Sequence, residues 1–128
     1  MKRILKLAVQ EANKSNVVRG KIGAVAYTNN HHIVAKAHNS TFLGSDRIKT
    51  IHAEEALLQK LYNIDATHRF GDNLNILVIR WKEGMKQFGM AKPCVSCQKS
   101  LSRTRFNIYY TTQYGNIMML GLPGKDLI

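Results

Sequence analysis

Apolar residues recur along this chain with two different periods, and the changes of period mark its elements. Between residues 2 and 14, Ile4, Leu5, Ala8, Val9 and Ala12 fall three or four apart with lysines among them, the pattern of an amphipathic helix laid on a core. Gly20 lies just beyond it. Ile22 to Thr28 and Ile33 to Ala37 are short, partly β-branched runs separated by Asn29-Asn30-His31-His32. They read as a hairpin with His31 and His32 exposed in its turn. Residues 38 to 49 show no period and carry Asn, Ser, Thr, Gly and Asp, so a loop is expected there. A helix should start near Thr50, an eligible N-cap. Ala53, Ala56, Leu57, Leu58 and Leu61 give it an apolar face through Tyr62.

In the second half, a loop from Asn63 to Asn73 leads into Leu74 to Trp81, whose Ile76-Leu77-Val78-Ile79 run reads as a buried central strand. Lys82 to Lys92, with Gly84 and Gly89, reads as a loop or short extension. Pro93 suits the first turn of a helix running from Cys94 to Arg103. Phe106 to Thr111 is a further strand, and Gly115-Asn116 turns the chain into Ile117 to Leu120. Helix, strand, strand, helix, strand, helix, strand and a last strand make an α/β chain with a mixed sheet and helices packed over it. At 128 residues it is expected to form one domain, 1–128. No repeat or low-complexity segment interrupts it.

Charge changes the picture of partners. The chain has 19 Lys and Arg against 8 Asp and Glu, a net charge of +11, which points to polyanionic or phosphorylated partners; a generically basic surface is the plainer account. The start, Met1-Lys2-Arg3-Ile4-Leu5-Lys6-Leu7, has only a short, interrupted apolar stretch, and no segment reaches the roughly twenty apolar residues of a membrane span. The expectation is a soluble, cytoplasmic protein without membrane contact, whose thiols stay reduced.

Two motifs carry candidate chemistry: His52-Ala53-Glu54, and Pro93-Cys94-Val95-Ser96-Cys97. Alone, each has ordinary explanations. The cysteines suit a redox pair, half of a structural zinc site, or two small buried hydrophobes. Because these are the chain's two cysteines, a four-cysteine site within one chain is excluded, and a further ligand must come from histidine or carboxylate. His31, His32, His38 and His68 compete with His52, but only His52 has a glutamate two residues on. At i, i+3 spacing Cys94 and Cys97 share a helix face. A zinc site with three protein ligands keeps its fourth position open to water and can lower that water's pKa from about 15.7 to about 7. Glu54 is then left over to carry protons.

With both motifs in this order, the chain resembles the cytidine deaminase superfamily over nearly its whole length, most specifically at His52, Glu54, Pro93, Cys94 and Cys97. The resemblance implies a three-layer α-β-α fold around a mixed sheet of about five strands, with the two motif helices side by side. It implies a zinc cofactor held by His52, Cys94 and Cys97, with Glu54 as the proton shuttle. The backbone amide of Ala53 would read a ring carbonyl, and Asn39 would contact the sugar, a loop-stabilising Asn39 being the alternative. The implied reaction converts cytosine to uracil in cytidine or (deoxy)cytidylate with release of ammonia. Two alternatives stand beside it: deamination of cytosine or adenine in single-stranded DNA or RNA, tRNA included, through the basic surface, and a non-catalytic zinc-stapled domain that binds nucleic acid.

Substrate signals are mixed. The short Tyr114-Gly115-Asn116 turn predicts an antiparallel last strand, the arrangement of deaminases of free cytidine. Those relatives usually carry a glycine inside the cysteine motif and Arg-Gln after it, where this chain has Val95-Ser96 and Gln98-Lys99. Lys92, Arg47 and Lys49 are candidate phosphate contacts. One of Tyr109 and Tyr110 is expected in the core and the other available for stacking on a base, whereas Trp81 reads as packing. Relatives of this kind also assemble into dimers or tetramers, so a homo-oligomer is expected.

Overall fold

The computed structural model describes residues 1–18 and 20–120. Helix α1 (Lys2–Ala12) buries Ile4, Ala8, Glu11 and Ala12 along one stripe. Strands β1 (Lys21–Thr28) and β2 (Ile33–His38) pair antiparallel, and Thr28 N–H donates to the His32 carbonyl across their turn. His31 and His32 are exposed there, as expected. After β3 (Ser40–Leu43) and β4 (Ile48–Ile51) come α2 (Ala53–Asn63), a short α3 (Ala66–Phe70), a 3₁₀ turn (Gly71–Asn73) and β5 (Leu74–Lys82). The chain continues through β6 (Gln87–Gly89), α4 (Val95–Ser102), β7 (Asn107–Thr111) and β8 (Ile117–Met119).

Six strands form the main sheet in the order β2-β1-β5-β7-β8, with β6 paired to the end of β5. Among the described residues only β5 and β7 run parallel; the expected antiparallel pairing of β7 with β8 is present. Side chains alternate between faces, so each strand serves two cores. Val25, Tyr27, Leu77 and Ile79 join Ile4, Ala8 and Ala12 of α1 on one face. Ala24, Ala26, Ile76, Val78 and Ile108 join Ala53, Leu57 and Leu61 of α2 and Leu101 of α4 on the other. This is the three-layer mixed α/β arrangement the sequence led us to expect. Gly23 sits where α1 crosses the sheet: a Cβ there would lie 2.3 Å from the Ala8 carbonyl oxygen and 2.8 Å from the Ala12 nitrogen. The helix can approach this closely because that side chain is missing.

Four expectations need correction. Residues 38 to 49 are not a loop: β3 and β4 form a separate antiparallel hairpin, with Thr41 opposite Thr50 and Gly44 N–H donating to the Arg47 carbonyl at 2.7 Å. All four residues of β4 are exposed, so no buried face imposed a period on the sequence. For the same reason the helix does not begin at Thr50, which is held in β4; it begins at Ala53, capped by His52. The supposed loop from 63 to 73 contains α3 and the 3₁₀ turn. Pro93 precedes the α4 cap rather than occupying its first turn, because the extended Cys94 (φ −68°, ψ 167°) is the N-cap. Among the described residues no helix is long and apolar enough to cross a membrane.

Candidate metal centre and active site

Two helix caps and one sheet end converge here. His52 is extended (φ −73°, ψ 150°), accepts Ala56 N–H at its carbonyl and donates its own N–H to Glu55 Oε1 at 3.3 Å. The backbone is thereby fixed at the point where the hairpin strand becomes α2. Cys94 takes the same position on α4. Its carbonyl accepts Gln98 N–H at 2.8 Å while the Gln98 side-chain amide donates to the Pro93 carbonyl at 2.8 Å. One turn later, Cys97 is buried on the same side.

These caps bring His52 Nδ1 to 3.3 Å from Cys97 Sγ and 3.7 Å from Cys94 Sγ, and all three donor atoms lie within 4.8 Å of one another. Zinc bond lengths of about 2.0 to 2.3 Å at tetrahedral angles place donors roughly 3.6 to 3.8 Å apart. One imidazole nitrogen and two sulfurs at these spacings fit zinc. Burial, with Glu54 nearby, pushes the Cys97 thiol well above its ordinary range, so this sulfur becomes a thiolate only with a cation beside it.

Glu54 is the second residue of α2 and only 5% exposed. Burial raises its carboxyl above the ordinary value, although its own backbone N–H and His52 oppose the shift. Its Oε1 is buried without a hydrogen-bond partner. The same status is shared by one other side-chain atom among the described residues, Arg80 Nε. Both residues line one cavity of about 350 Å³, together with Asn39, His52, Lys92 and Cys94. A larger cavity, about 480 Å³, lies away from this cluster, beside His32 and Arg69.

The family model for the cytidine and deoxycytidylate deaminase zinc-binding region matches residues 1–112. The chain belongs to this deaminase family. No curated protein matches it. Among solved structures, it is similar to a dCMP deaminase from the cyanophage S-TIM5, with 23% identity, a TM-score of 0.62, and 87% of this chain and 81% of that one covered. It is also similar to a cytidine deaminase from Burkholderia pseudomallei, with 16% identity, a TM-score of 0.64 and coverages of 94% and 91%. A third likeness is the cytidine deaminase from Mycobacterium leprae, with 18% identity, a TM-score of 0.57 and coverages of 89% and 87%. At these identities the likenesses establish the fold.

The other residues singled out in the deaminase sequence fare differently. Asn39 lines the cavity, but its side chain is already engaged: Oδ1 accepts Ile22 N–H at 2.9 Å and Nδ2 donates to the Gly20 carbonyl at 2.8 Å. It ties the approach to β1 to the loop beside the cavity. Ala53 is fully buried in the core, and its N–H is one of the first-turn amides without a carbonyl partner inside the helix. Lys92 reaches the cavity, whereas Arg47 and Lys49 lie on the exposed β3–β4 hairpin outside its lining. Tyr110 is buried in the α2-side core and Tyr109 packs on the α1-side core, so neither tyrosine is set out as a stacking platform. Trp81 packs edge-on against Phe88 at 5.1 Å, the packing role expected.

Arg80 escaped the sequence reading. Its signal was a lone charge at the end of the Ile76-Leu77-Val78-Ile79 run, where a strand that is otherwise apolar reaches the sheet edge.

Proposed function

We propose that the protein is a zinc-dependent hydrolytic deaminase that converts cytosine to uracil in cytidine or (deoxy)cytidylate and releases ammonia. The observation that carries this reading is the clustering of three metal-donor atoms, on His52, Cys94 and Cys97, at a cavity lined by His52, Cys94 and Glu54, whose buried carboxylate oxygen Oε1 is unpartnered. In this reading His52, Cys94 and Cys97 hold the metal. When bound, zinc supplies an acidified water able to attack at neutral pH. Glu54 Oε1 takes the proton of the attacking water, gives it to the ring nitrogen beside the reacting carbon, and later delivers a proton to the departing amine. Water enters, ammonia leaves and a carbonyl remains. The cavity encloses Glu54 away from bulk solvent, which keeps its proton for the substrate. The first-turn N–H of Ala53 is available to a ring carbonyl, and Asn39 holds the loop that borders the sugar.

The antiparallel β7–β8 pair supports a small substrate, being the arrangement associated with free-cytidine deaminases. A similar structure, the S-TIM5 dCMP deaminase, has been solved in complex with dCMP and dUMP, which supports nucleotide chemistry in the same fold. The net charge of +11 favours a second reading, deamination of cytosine or adenine in a single strand. One experiment separates the two. Zinc-loaded protein is incubated with cytidine, deoxycytidylate and single-stranded oligonucleotides containing cytosine or adenine, and the products are weighed. Replacing an amine by a carbonyl adds about one mass unit. A gain confined to the small molecules is expected; a gain confined to an oligonucleotide reverses the order of the readings, and no gain on any base rejects deamination.

A further inference from the structure

We infer that Arg80 is a specificity-determining residue that binds the terminal phosphate of a mononucleotide substrate in the same cavity as Glu54. This rests on the deaminase reading above and extends it to the substrate's charge.

Strand register puts Arg80 there. On β5, Ile76 and Val78 face the α2-side core and Leu77 and Ile79 face α1, so position 80 returns to the α2 side. It lies one step beyond the last core residue on that face. Its partner across the strand pair is Ile22 of β1, another residue lining the cavity. Here the core gives way to the mouth between the caps of α2 and α4, and the residue filling that position is a cation.

Two glycines make room for it. A Cβ at Gly89, opposite Arg80 on β6, would come within 3.0 Å of the Arg80 Cδ, and one at Gly20 within 3.4 Å of an Arg80 terminal nitrogen. Arg80 is half-buried between the Glu54 cavity and a neighbouring one of about 390 Å³ that Gly20 also lines. Its guanidinium has no ion pair or side-chain hydrogen bond among the described residues, and Nε is fully buried without a partner. A buried guanidinium nitrogen with no acceptor is costly unless an anion completes it.

The cavity narrows the choice of anion. Glu54 is its carboxylate and is needed at the opposite task, carrying protons. Lys92 supplies a second, exposed cation on the lining. A guanidinium fork and an ammonium on one cavity lining match the oxygens of a phosphate. A half-buried guanidinium on the cavity that holds Glu54 suits a phosphate at the end of a small molecule, which can enter with its sugar; surface lysines suffice for a phosphodiester passing outside. The two unpartnered atoms of the cavity thus divide the substrate between them, Glu54 at the base and Arg80 at the charged end.

The test compares wild type with Arg80→Met, which keeps the apolar stem without the charge, and Arg80→Lys, which keeps the charge without the fork. Kinetics on deoxycytidylate and deoxycytidine are run beside thermal shifts with deoxyuridylate, deoxyuridine and inorganic phosphate, so that binding is read without turnover. Wild type is expected to prefer the mononucleotide. In Arg80→Met the mononucleotide-to-nucleoside ratio of kcat/KM should fall about 10- to 100-fold, mainly through KM, as loss of a charged hydrogen bond implies; Arg80→Lys should fall between. Equal losses on nucleotide and nucleoside, or a loss confined to an oligonucleotide, overturn the inference. If no base is deaminated, the deaminase reading fails. Arg80 is then judged by the thermal shift alone, which must be larger for deoxyuridylate than for deoxyuridine and must shrink in Arg80→Met.

Discussion

The two faces of the central sheet use the same strands for opposite ends. On the α1 face, Ile4, Ala8, Ala12, Val25, Leu77 and Ile79 are all completely buried, and the packing among them is apolar. On the α2 and α4 face the core begins in the same way, with Ala24, Ile76, Val78 and Leu57, but toward one end it changes character. There Glu54, Arg80, His52 and the two cysteines replace aliphatic side chains, and the two unpartnered buried polar side-chain atoms among the described residues both lie in that region. A protein interior normally satisfies its polar groups, so such a concentration marks where stability has been given up for chemistry. The closed face lends rigidity to the open one, since β1 and β5 are shared by both.

The sharpest way to break the comparison is to alter one atom on the open face. Glu54→Gln preserves shape and removes the proton carrier. Turnover is expected to fall by at least about 10²- to 10⁴-fold, the usual worth of general acid-base catalysis, while metal analysis still finds zinc. Retained activity would sink the role given to Glu54. Stability should move the other way: an amide replaces a buried carboxylate that lacks a full set of partners, so the metal-free variant should melt no lower than wild type. Cys97→Ala is the complementary change, and here the zinc content itself should drop.

Leu77→Ala carries the comparison to the closed face. This side chain is wholly buried against α1, and removing it should cost about 2 to 5 kcal/mol through lost burial and the remaining cavity. Zinc stoichiometry of the folded fraction should be unchanged. A variant that lost metal without losing stability would show that the two faces are not separable. Gly23→Ala is a smaller insult to the same packing. Its new Cβ meets the backbone of α1 at 2.3 Å, and relief requires the helix to shift, for about 1 to 3 kcal/mol. Denaturant midpoints for both variants provide the check.

This contrast also explains what could be read from the sequence. The closed face was legible because burial imposes a period, 3.6 on α1 and continuous apolarity on β5. His52, Glu54, Cys94 and Cys97 were legible as candidates because their chemistry requires particular residue types at short spacings. The β3–β4 hairpin was not, since its strands pair with each other in solvent and bury almost nothing. The helix start was misplaced with it: Thr50 has the chemistry of a cap, but the backbone pairing opposite Thr41 outweighs that local preference. Arg80 was hidden for another reason. Nothing in a local window says that the residue after a buried strand faces a cavity assembled from α2, α4 and the loop before β1.

The mildest test lies at the border of the closed face. Glu11 is buried on α1 but, unlike Glu54, it is partnered: His38 Nδ1 lies 2.9 Å from one oxygen and Lys14 Nζ 3.1 Å from the other. Burial pushes its carboxyl up, yet the hydrogen bonds and charges of His38 and Lys14 together outweigh this and leave it below its ordinary value of 4.5. A carboxyl lowered by folding contributes stability that is fully present above 4.5 and is lost as pH falls through the lower folded value. Denaturation midpoints followed from neutral pH into this acid range should therefore decline, and Glu11→Gln should flatten that decline while leaving zinc content alone. An unchanged acid slope in Glu11→Gln would assign the decline to other carboxylates. The pair of glutamates then states the difference between the faces in one residue type: where His38 and Lys14 close around the carboxyl it is held ionised and serves the fold, and where one oxygen is left open it is held ready to take a proton.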